Sequence, residues 1–322
     1  MILNAINIHY LAAILVLLLS GIGLSFGLSW SVDGLFAGLS RQTAAAAQLN
    51  KLVMYGMLLI EGSFILAFII AIAILFPTYQ QLTWSIALAE LGMALAVGIC
   101  ACTVGFASSF ALNGACKAVA RSPFFVGKIQ MLTMVVQTLI ETPVFFAFII
   151  ALLIKIRLDA SLSLIDGIRL LAAGATIGLA AVGPTIGQLL FSQKACLAAG
   201  INRHAFNKIF TFTVMTEAFI ETPILFAFVL AILLLLKKIT LSLLLAIGLF
   251  VAMVFGISLG TAGTGAGIGF LAAKSVQEIA HDPDNYHPIM RLSVMSQILI
   301  ETSAIFAFII ALLMFFRAIS IT

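Results

Sequence analysis

The chain has 322 residues, of which 63% are hydrophobic and only 9% are charged. A soluble domain carries about 25% charged residues, so this composition cannot cover a water-facing surface and predicts an integral membrane protein. The formal net charge of +4 is too small to indicate nucleic-acid binding.

Eight long apolar runs follow one another along the chain, and each exceeds the roughly 20 apolar residues that cross a bilayer. Polar turns join them in pairs, so we expect an all-α integral membrane fold of four tandem transmembrane helical hairpins. The apolar stretch Leu11–Leu19 belongs to the first helix, and we do not interpret it as a signal peptide. The predicted helices span 8–40 with 50–76, 84–120 with 126–154, 164–199 with 206–236, and 241–280 with 288–317.

One glutamate recurs in the second helix of every hairpin at a constant spacing of 80 residues, and the residues around it align without a gap. A fixed period of this kind marks a structural repeat. The four glutamates are Glu61, Glu141, Glu221 and Glu301. The expected repeats are residues 1–80, 81–160, 161–240 and 241–322, called repeats one to four below.

The basic residues favour one orientation of the hairpins. Cytoplasmic loops of membrane proteins carry an excess of Lys and Arg, and here ten of the 16 basic residues flank the hairpin turns. The turns are therefore expected in the cytoplasm. The ten are Arg41, Lys51, Lys117, Arg121, Lys128, Lys194, Arg203, Lys208, Lys274 and Arg291, and the six on the opposite side are Lys155, Arg157, Arg169, Lys237, Lys238 and Arg317.

Small residues recur at every second position on the first helix of each repeat, most clearly in the run Gly263–Gly269. Without side-chain bulk, two helix backbones can approach closely in lipid. Pairwise helix association would explain one such run. Its recurrence in four repeats favours a closed ring with the first helices packed inside.

Two further patterns indicate no nucleotide or metal site. The segment 269–275 resembles a phosphate-binding loop, but Ala273 replaces the second glycine and no strand precedes it. The cysteines form no Cys-x-x-Cys pair and cluster with no histidine, so we interpret them as small apolar helix residues. They are Cys100, Cys102, Cys116 and Cys196.

The repeated glutamates are the strongest functional signal. An ionised carboxylate near the bilayer centre costs roughly 2.5–3.5 kcal/mol on insertion scales. No Lys or Arg lies in the middle of a predicted helix to offset that cost. Each glutamate is therefore expected to be protonated, to hold a cation, or to meet a basic group from another protein, and burial favours the protonated form.

Hydrogen-bonding residues surround each glutamate in the sequence. Hydroxyl residues follow it, and an amide or a second acid lies one turn before it on the same helix face, although Met57 takes that place in repeat one. Pro143 and Pro223 lack an N–H. This frees the carbonyl groups of Leu139 and Phe219 to contact an ion. The candidate site neighbours are Ser63, Gln137, Thr142, Glu217, Thr222, Gln297 and Thr302.

The chain resembles the c subunit of F-type ATP synthases, the helical hairpin that forms the membrane rotor ring. The residues that carry the resemblance are the glycine run 263–269, the segment 274–283, and Glu301 with Thr302. The family's usual Arg-Gln-Pro turn is approached at 41–43 and 121–123, whereas Asn202 followed by Arg203 departs from it. The family norm is one hairpin per chain, so the fusion of four hairpins is also a departure.

This resemblance implies a mechanism and a set of partners. Each glutamate would take up an ion at the stator's a subunit, carry it around the ring, and release it on the other side of the membrane. An arginine of that stator protein would supply the basic partner. Other copies would complete a homo-oligomeric ring in membrane lipid, and the turns would contact central stalk subunits. The chain would be a non-catalytic rotor component without a cofactor, in a bacterial inner membrane, with cytoplasmic turns.

The resemblance leaves two transported ions open, and protons are favoured over sodium. In sodium-binding members, a glutamine near the end of the glycine run joins the glutamate and a following hydroxyl. Only repeat three has this set, as Gln188, Glu221 and Thr222. Leu28 and Ile268, which replace Gln188 in repeats one and four, have no side-chain oxygen, and Ser108 takes this place in repeat two. A ring with such sites is expected to hold sodium poorly.

An alternative hypothesis assigns the chain to another class of protein, a self-contained secondary transporter or channel built from parallel repeats. Transporter repeats usually diverge around one central site, whereas each repeat here keeps its own carboxyl group. A purely structural membrane scaffold would leave the four acids without an explanation.

Overall fold

The computed structural model describes residues 2–77, 79, 81–238 and 241–321, and these residues contain helices but no β-strand. Eight stretches are long and apolar enough to cross a membrane. This confirms the predicted all-α fold of four transmembrane hairpins. The helices are α1 Ile2–Leu39, α2 Ala46–Leu75, α3 Trp84–Arg121, α4 Val126–Ile140, α5 Thr142–Ile156, α6 Leu164–Ala180, α7 Val182–Ile201, α8 Phe206–Leu236, α9 Leu243–His281 and α10 Tyr286–Ile321.

The expected repeat boundaries stay a prediction. Residues 1, 80, 240 and 322, on which several of these boundaries fall, lie outside the described residues. The helices themselves agree with the predicted pairing, since each repeat contributes one first helix and one second helix. A helix of 38 residues such as α1 is about 57 Å long at a rise of about 1.5 Å per residue, so it extends well beyond a hydrocarbon core about 30 Å thick.

All four hairpin turns have the same form, a short 3₁₀ segment directly before the second helix. These segments are Thr43–Ala45, Pro123–Phe125, Arg203–Ala205 and Pro283–Asn285. Repeat three, which departs from the expected turn sequence, reaches this form by a different route. The side-chain oxygen of Asn202 accepts hydrogen bonds from the backbone N–H groups of His204 at 3.0 Å and Ala205 at 3.3 Å. Asparagine commonly supports turns in this way.

Two predicted continuous helices are interrupted in the structure. The second helix of repeat two breaks into α4 and α5 at Glu141, and the first helix of repeat three breaks into α6 and α7 at Ala181. A proline follows each break, Pro143 in one case and Pro184 in the other. Proline removes one helical hydrogen bond and crowds the preceding turn. The prediction of unbroken helices was wrong at these two places, although Pro223 lies inside the uninterrupted helix α8.

The first helices of successive repeats pack side by side in chain order. Helix α1 contacts α3, α3 contacts α6 and α7, and α7 contacts α9. A Cβ built on Gly27 would lie 2.6 Å from the carbonyl oxygen of Gly105, and one built on Gly187 would overlap the carbonyl of Gly265. The register is therefore the same between repeats one and two as between repeats three and four. These glycines bring the backbones into direct contact, as the small-residue pattern predicts.

The second helices form an outer layer over the joints between the first helices. Helix α2 packs on α1 and on α3, α5 packs on α3 and on α6, and α8 packs on α6, α7 and α9. The second helices of repeats one to three therefore lie in the groove between their own first helix and that of the following repeat, and α10 packs on α9 and α8. The four hairpins form an arc with repeat one at one end and repeat four at the other.

Candidate ion-binding site

The four repeated glutamates all lie near the middle of the outer helices, but their exposure differs. Glu141 is buried, with 8% of its surface exposed. Glu221 and Glu301 are half-buried, and Glu61 is exposed. Glu61 belongs to repeat one, and no preceding hairpin among the described residues covers it. The environment of each carboxyl group therefore depends on the neighbouring repeat.

The Glu141 carboxyl group lies against the outer helix of repeat one. A Cβ built on Gly62 would lie 3.6 Å from Oε2 of Glu141. Gly62 directly follows Glu61, so the carboxyl group of one repeat faces the residue that follows the glutamate of the preceding repeat. Oε1 of Glu141 is buried and has no hydrogen-bond partner among the described residues. A buried carboxyl oxygen without a partner is costly when the group is ionised.

Repeat three has the most polar site of the four. The Gln188 side-chain amide donates a hydrogen bond to Oε1 of Glu221 at 3.3 Å, and the side chain of Thr142, from repeat two, interacts with the same carboxyl group. Glu217 is fully buried one helical turn from Glu221 and also lies beside Gln188. Two carboxyl groups this close together, one of them fully buried, cannot both be ionised unless a cation lies between them, so without a cation at least one is expected to hold a proton.

The sequence suggests that each hydroxyl group lies beside the glutamate of its own repeat. The structure places these hydroxyl groups differently. The Thr222 hydroxyl donates to the carbonyl of Ala218 at 3.0 Å, and Thr302 donates to Leu299 at 2.7 Å. Ser63 donates to the carbonyl of its own helix at Ile60, at 2.9 Å. None of these three hydroxyls contacts the glutamate of its own repeat in the described structure, whereas the side chain of Thr142 lies near the glutamate of the next repeat and acts on its carboxyl group.

The two glutamines one turn before a glutamate connect neighbouring helices. Gln137 donates to Oγ of Ser108 at 2.9 Å and to the carbonyl of Gly56, in repeat one, at 3.2 Å. Gln297 donates to Ser293 at 3.0 Å and to Oγ1 of Thr216, in repeat three, at 3.4 Å. Both side chains are fully buried. They therefore connect adjacent repeats by hydrogen bonds, one helical turn closer to the hairpin turns than the carboxyl groups.

Basic side chains do not reach the four glutamates within the described part of the chain. Its two ion pairs join His9 to Glu90 at 2.7 Å and Arg169 to Asp166 at 2.9 Å. Both pairs lie toward the helix ends opposite the hairpin turns, and the Tyr79 hydroxyl donates to Glu90 at 2.9 Å. Burial and the nearby Glu90 carboxyl raise the pKa of Tyr79 above its usual range. The sequence pattern did not reveal this cluster because neither His9 nor Tyr79 recurs in the other repeats.

A substitution of Thr142 can distinguish the two pairings of hydroxyl and carboxyl groups. A hydrophobic carbodiimide labels protonated carboxyl groups, and losing a hydrogen-bond donor worth about 1 kcal/mol favours protonation about fivefold. In the pH range where Glu221 is mostly ionised, Thr142→Val should therefore raise labelling of Glu221 up to about fivefold and leave labelling of Glu141 unchanged, measured by mass spectrometry of peptides. Thr222→Val is the matched control and should not change Glu221 labelling. An effect of Thr142→Val on Glu141 alone would support pairing within the repeat.

The fold defines a class of protein: multi-pass membrane proteins made of helical hairpins, with first helices in backbone contact and one carboxyl group per hairpin in the outer layer. A family model that describes the c subunit of ATP synthase matches the chain three times, over residues 91–154, 171–234 and 247–314. These matches fall in repeats two, three and four.

Individual relatives agree with the family match. The ATP synthase c subunit of Dehalococcoides mccartyi is 44% identical over 69 residues, which cover 21% of this chain and 91% of the relative. The ATP synthase c subunit of Natranaerobius thermophilus is 38% identical over 71 residues, covering 22% and 77% of the two chains. The K subunit of the A-type ATP synthase of Methanocaldococcus jannaschii is 29% identical over 236 residues, covering 70% of this chain and 94% of the relative.

The chain belongs to the family of ATP synthase c subunits, as a fused form with several hairpins. It is therefore a multi-pass membrane component of the rotor ring of an ATP synthase and takes part in ion translocation without being a catalytic component. This confirms the family resemblance drawn from the glycine run, the turns and the glutamates.

Proposed function

We propose that the chain carries protons on Glu61, Glu141, Glu221 and Glu301, and that this couples proton flow to rotation of the ring. The observation that carries the proposal is a carboxyl group in every repeat without a basic partner among the described residues. A carboxyl group in such a setting is neutral while it holds a proton, and it can release the proton when a positive charge stabilises the ionised form. The transported proton is the cargo, and no resident cofactor or metal takes part.

The proposed stator partner is the a subunit, whose arginine would meet each carboxyl group in turn. The position of the glutamates supports this. They lie on the outer helices, which form the layer farther from the inner helices. Glu221 and Glu301 are half-buried in this layer. A charged side chain from outside the ring can therefore approach them without separating the inner helices.

The proposed site for the central stalk is the row of hairpin turns. The side chain of Phe124 is fully exposed at the turn of repeat two. A cleft of about 570 Å³ lies between this turn and that of repeat three, and Arg121, Arg203 and His204 contribute to its lining. An exposed aromatic side chain beside basic groups suits a protein partner with an acidic surface. The basic turns also support a cytoplasmic location, and the proposed membrane is a bacterial inner membrane.

The proposed lipid contact lies along the outer helices. Large apolar side chains there are exposed over most of the membrane depth. They include Leu58, Ile65, Phe145, Leu225 and Leu299. Exposed apolar side chains carry no free-energy penalty when lipid surrounds them.

Sodium is the second candidate ion, and repeat three favours it. Gln188, Glu217 and Thr142 all lie near Glu221 and each has a side-chain oxygen. In repeat four, by contrast, the place of Gln188 is taken by the fully buried Ile268. Since a rotor uses every site that passes the stator, one favourable site in four does not suffice for sodium transport.

Carbodiimide labelling in the presence of sodium tests the choice of ion. We expect sodium to leave the labelling of Glu141 and Glu301 unchanged, with any protection limited to Glu221. Labelled peptides from the assembled complex would be quantified by mass spectrometry, and potassium at equal ionic strength is the control. Protection of Glu141 and Glu301 by sodium would overturn the proton proposal and support the sodium alternative.

We also propose that copies of this chain alone make up the ring. Each copy supplies four hairpins, so the number of outer helices around the ring should be a multiple of four. Images of the detergent-extracted ring would give this number directly. A ring of ten, eleven or thirteen hairpins would show that other proteins are mixed in.

A further inference from the structure

A line of polar side chains crosses three inner helices close to the hairpin turns. The Asn113 side-chain amide donates to Oδ2 of Asp33 at 3.3 Å, and Gln193 donates to Oδ1 of Asn113 at 3.5 Å. The three residues are 80 positions apart and Asn113 is fully buried. The line ends in repeat four, where the equivalent residue is Ala273.

The residue that follows each member of this line packs on the next repeat. A Cβ built on Gly34 would lie 2.7 Å from the Cα of Asn113, and one built on Gly114 would lie 3.1 Å from the Cα of Gln193. Residues 34 and 114 occupy the same position in repeats one and two, and each contacts the residue 79 positions later, in the following repeat. At the joint between repeats three and four, a Cβ built on Gly183 would overlap the backbone of Ala262, also 79 residues later, so continuing this register places Lys194 beside Ala273.

Continuing this register beyond repeat four brings two opposite charges together. Lys274 is the residue of repeat four at the contacting place, and Asp33 is the residue of repeat one that it would meet on a second copy. Both side chains are exposed in the single chain. The Lys274 amine lies over the ring of Phe270, 4.5 Å from its centroid, and has no ion-pair partner within the described residues.

We infer that Lys274 of one copy pairs with Asp33 of the next copy, and that this ion pair joins repeat four to repeat one. The three joints inside the chain are held by covalent connectors, and their described residues contain no such pair at this level. The joint between copies has no connector, so it depends on side-chain contacts for its strength and direction. Complementary charges on the two ends favour head-to-tail joining and oppose the contact of two identical ends.

A second pair of charges lies at the same joint. The Ser122 hydroxyl of repeat two donates to the carbonyl of Gly200 in repeat three at 3.1 Å. The equivalent step from repeat four to the next copy places Asp282 beside Ser40 and next to Arg41. The acidic residue is again on one end of the arc and the basic residue is on the other. Here repeat four carries the acidic residue, which is the reverse of the Lys274 and Asp33 pair. Contact between two identical ends would bring like charges together in both pairs.

Aromatic contacts also continue across the joint. Trp30 stacks on Phe110 of the next repeat with centroids 5.0 Å apart, and Phe226 stacks on Phe308 at 5.2 Å. The same steps from repeat four would place Phe270 against Trp30 and Phe306 against Phe68 of the second copy. These four side chains are 57%, 42%, 65% and 48% exposed, respectively, in the single chain. Joining the ends would cover them.

One of the four carboxyl sites is completed only at this joint. Glu141 faces Gly62 and Glu221 meets Thr142, each from the preceding repeat. The residue that would cover Glu61 in this register is Thr302 of the second copy, which is why Glu61 is exposed in one chain. The inference rests on the ring of identical copies proposed above and adds the contact that closes it.

Charge reversal tests the ion pair. Asp33→Lys and Lys274→Asp should each lower the yield of closed rings at least about tenfold, because like charges then meet across the joint. The double variant should restore the yield. Rings would be counted by native mass spectrometry and electron microscopy in mild detergent. Lys194→Asp is the matched control, since this residue meets Ala273 inside the chain, and it should leave ring formation unchanged.

A cross-link in the unaltered protein makes the test independent of folding defects. A water-soluble carbodiimide activates the Asp33 carboxyl group, and attack by the Lys274 amine forms an amide bond and releases the urea. Rings assembled from equal amounts of ¹⁵N-labelled and unlabelled chains should yield a cross-linked peptide of mixed isotope content. Normal rings from both single reversals, or no such peptide from intact rings, would overturn the ion pair. A wild-type chain of 34.2 kDa that forms no ring at all would overturn the proposed ring as well.

Discussion

Replacing Glu141 with glutamine should reduce ATP-driven proton pumping by the assembled complex to background. Glutamine is close in size but cannot release or accept a proton at neutral pH. The carboxyl groups pass the stator one after another, so a site that cannot ionise stops the rotor even when the other three are intact. Pumping would be measured as acidification of inverted vesicles with a pH-sensitive dye.

Two comparisons make this result specific. Asp159→Asn removes an exposed carboxyl group from the connector between repeats two and three, and it should pump normally. Glu301→Gln should behave like Glu141→Gln, since all four sites are proposed to be used in turn. Substantial pumping by the Glu141→Gln, Glu301→Gln double variant would show that these carboxyl groups are not the carriers.

Replacing Gly174 with alanine should destabilise the protein strongly, although alanine is usually the better helix residue. A Cβ on Gly174 would overlap the backbone of Gly92, where α6 crosses α3. Alanine gains about 1 kcal/mol over glycine within a helix, but overpacking costs about 1–3 kcal/mol and more when the obstacle is backbone. The midpoint of heat-induced thiol exposure should fall, and the buried cysteines Cys100, Cys116 and Cys196 report it.

Gly127 provides the matched control for this prediction. It lies in α4, and a Cβ built there would have nothing within 4 Å among the described atoms. Gly127→Ala should therefore leave the midpoint unchanged or raise it. Opposite signs for the same chemical change would identify backbone contact between the inner helices as the cause. Equal effects at both glycines would contradict this explanation.

Much of the fold could be predicted from the sequence because its signals are local. A membrane-length apolar run specifies a helix wherever it lies, since lipid offers the backbone no other hydrogen-bond partner. The exact recurrence at Glu61, Glu141, Glu221 and Glu301 then specifies four copies of one hairpin. The interruptions could not be predicted in the same way. Pro143 and Pro184 follow helix breaks whereas Pro223 does not, although Pro143 and Pro223 stand in the same local sequence, Glu-Thr-Pro.

The sequence by itself determined that each repeat has a carboxyl group with hydroxyl and amide side chains nearby. Only the tertiary structure decided which of these groups meet. Thr142 is adjacent to Glu141 in the chain, yet its side chain interacts with Glu221 of the next repeat. An α-helix has 3.6 residues per turn, so consecutive side chains point about 100° apart. Neighbours in sequence therefore face different neighbouring hairpins, and the sites of Glu141 and Glu221 are each assembled from two repeats.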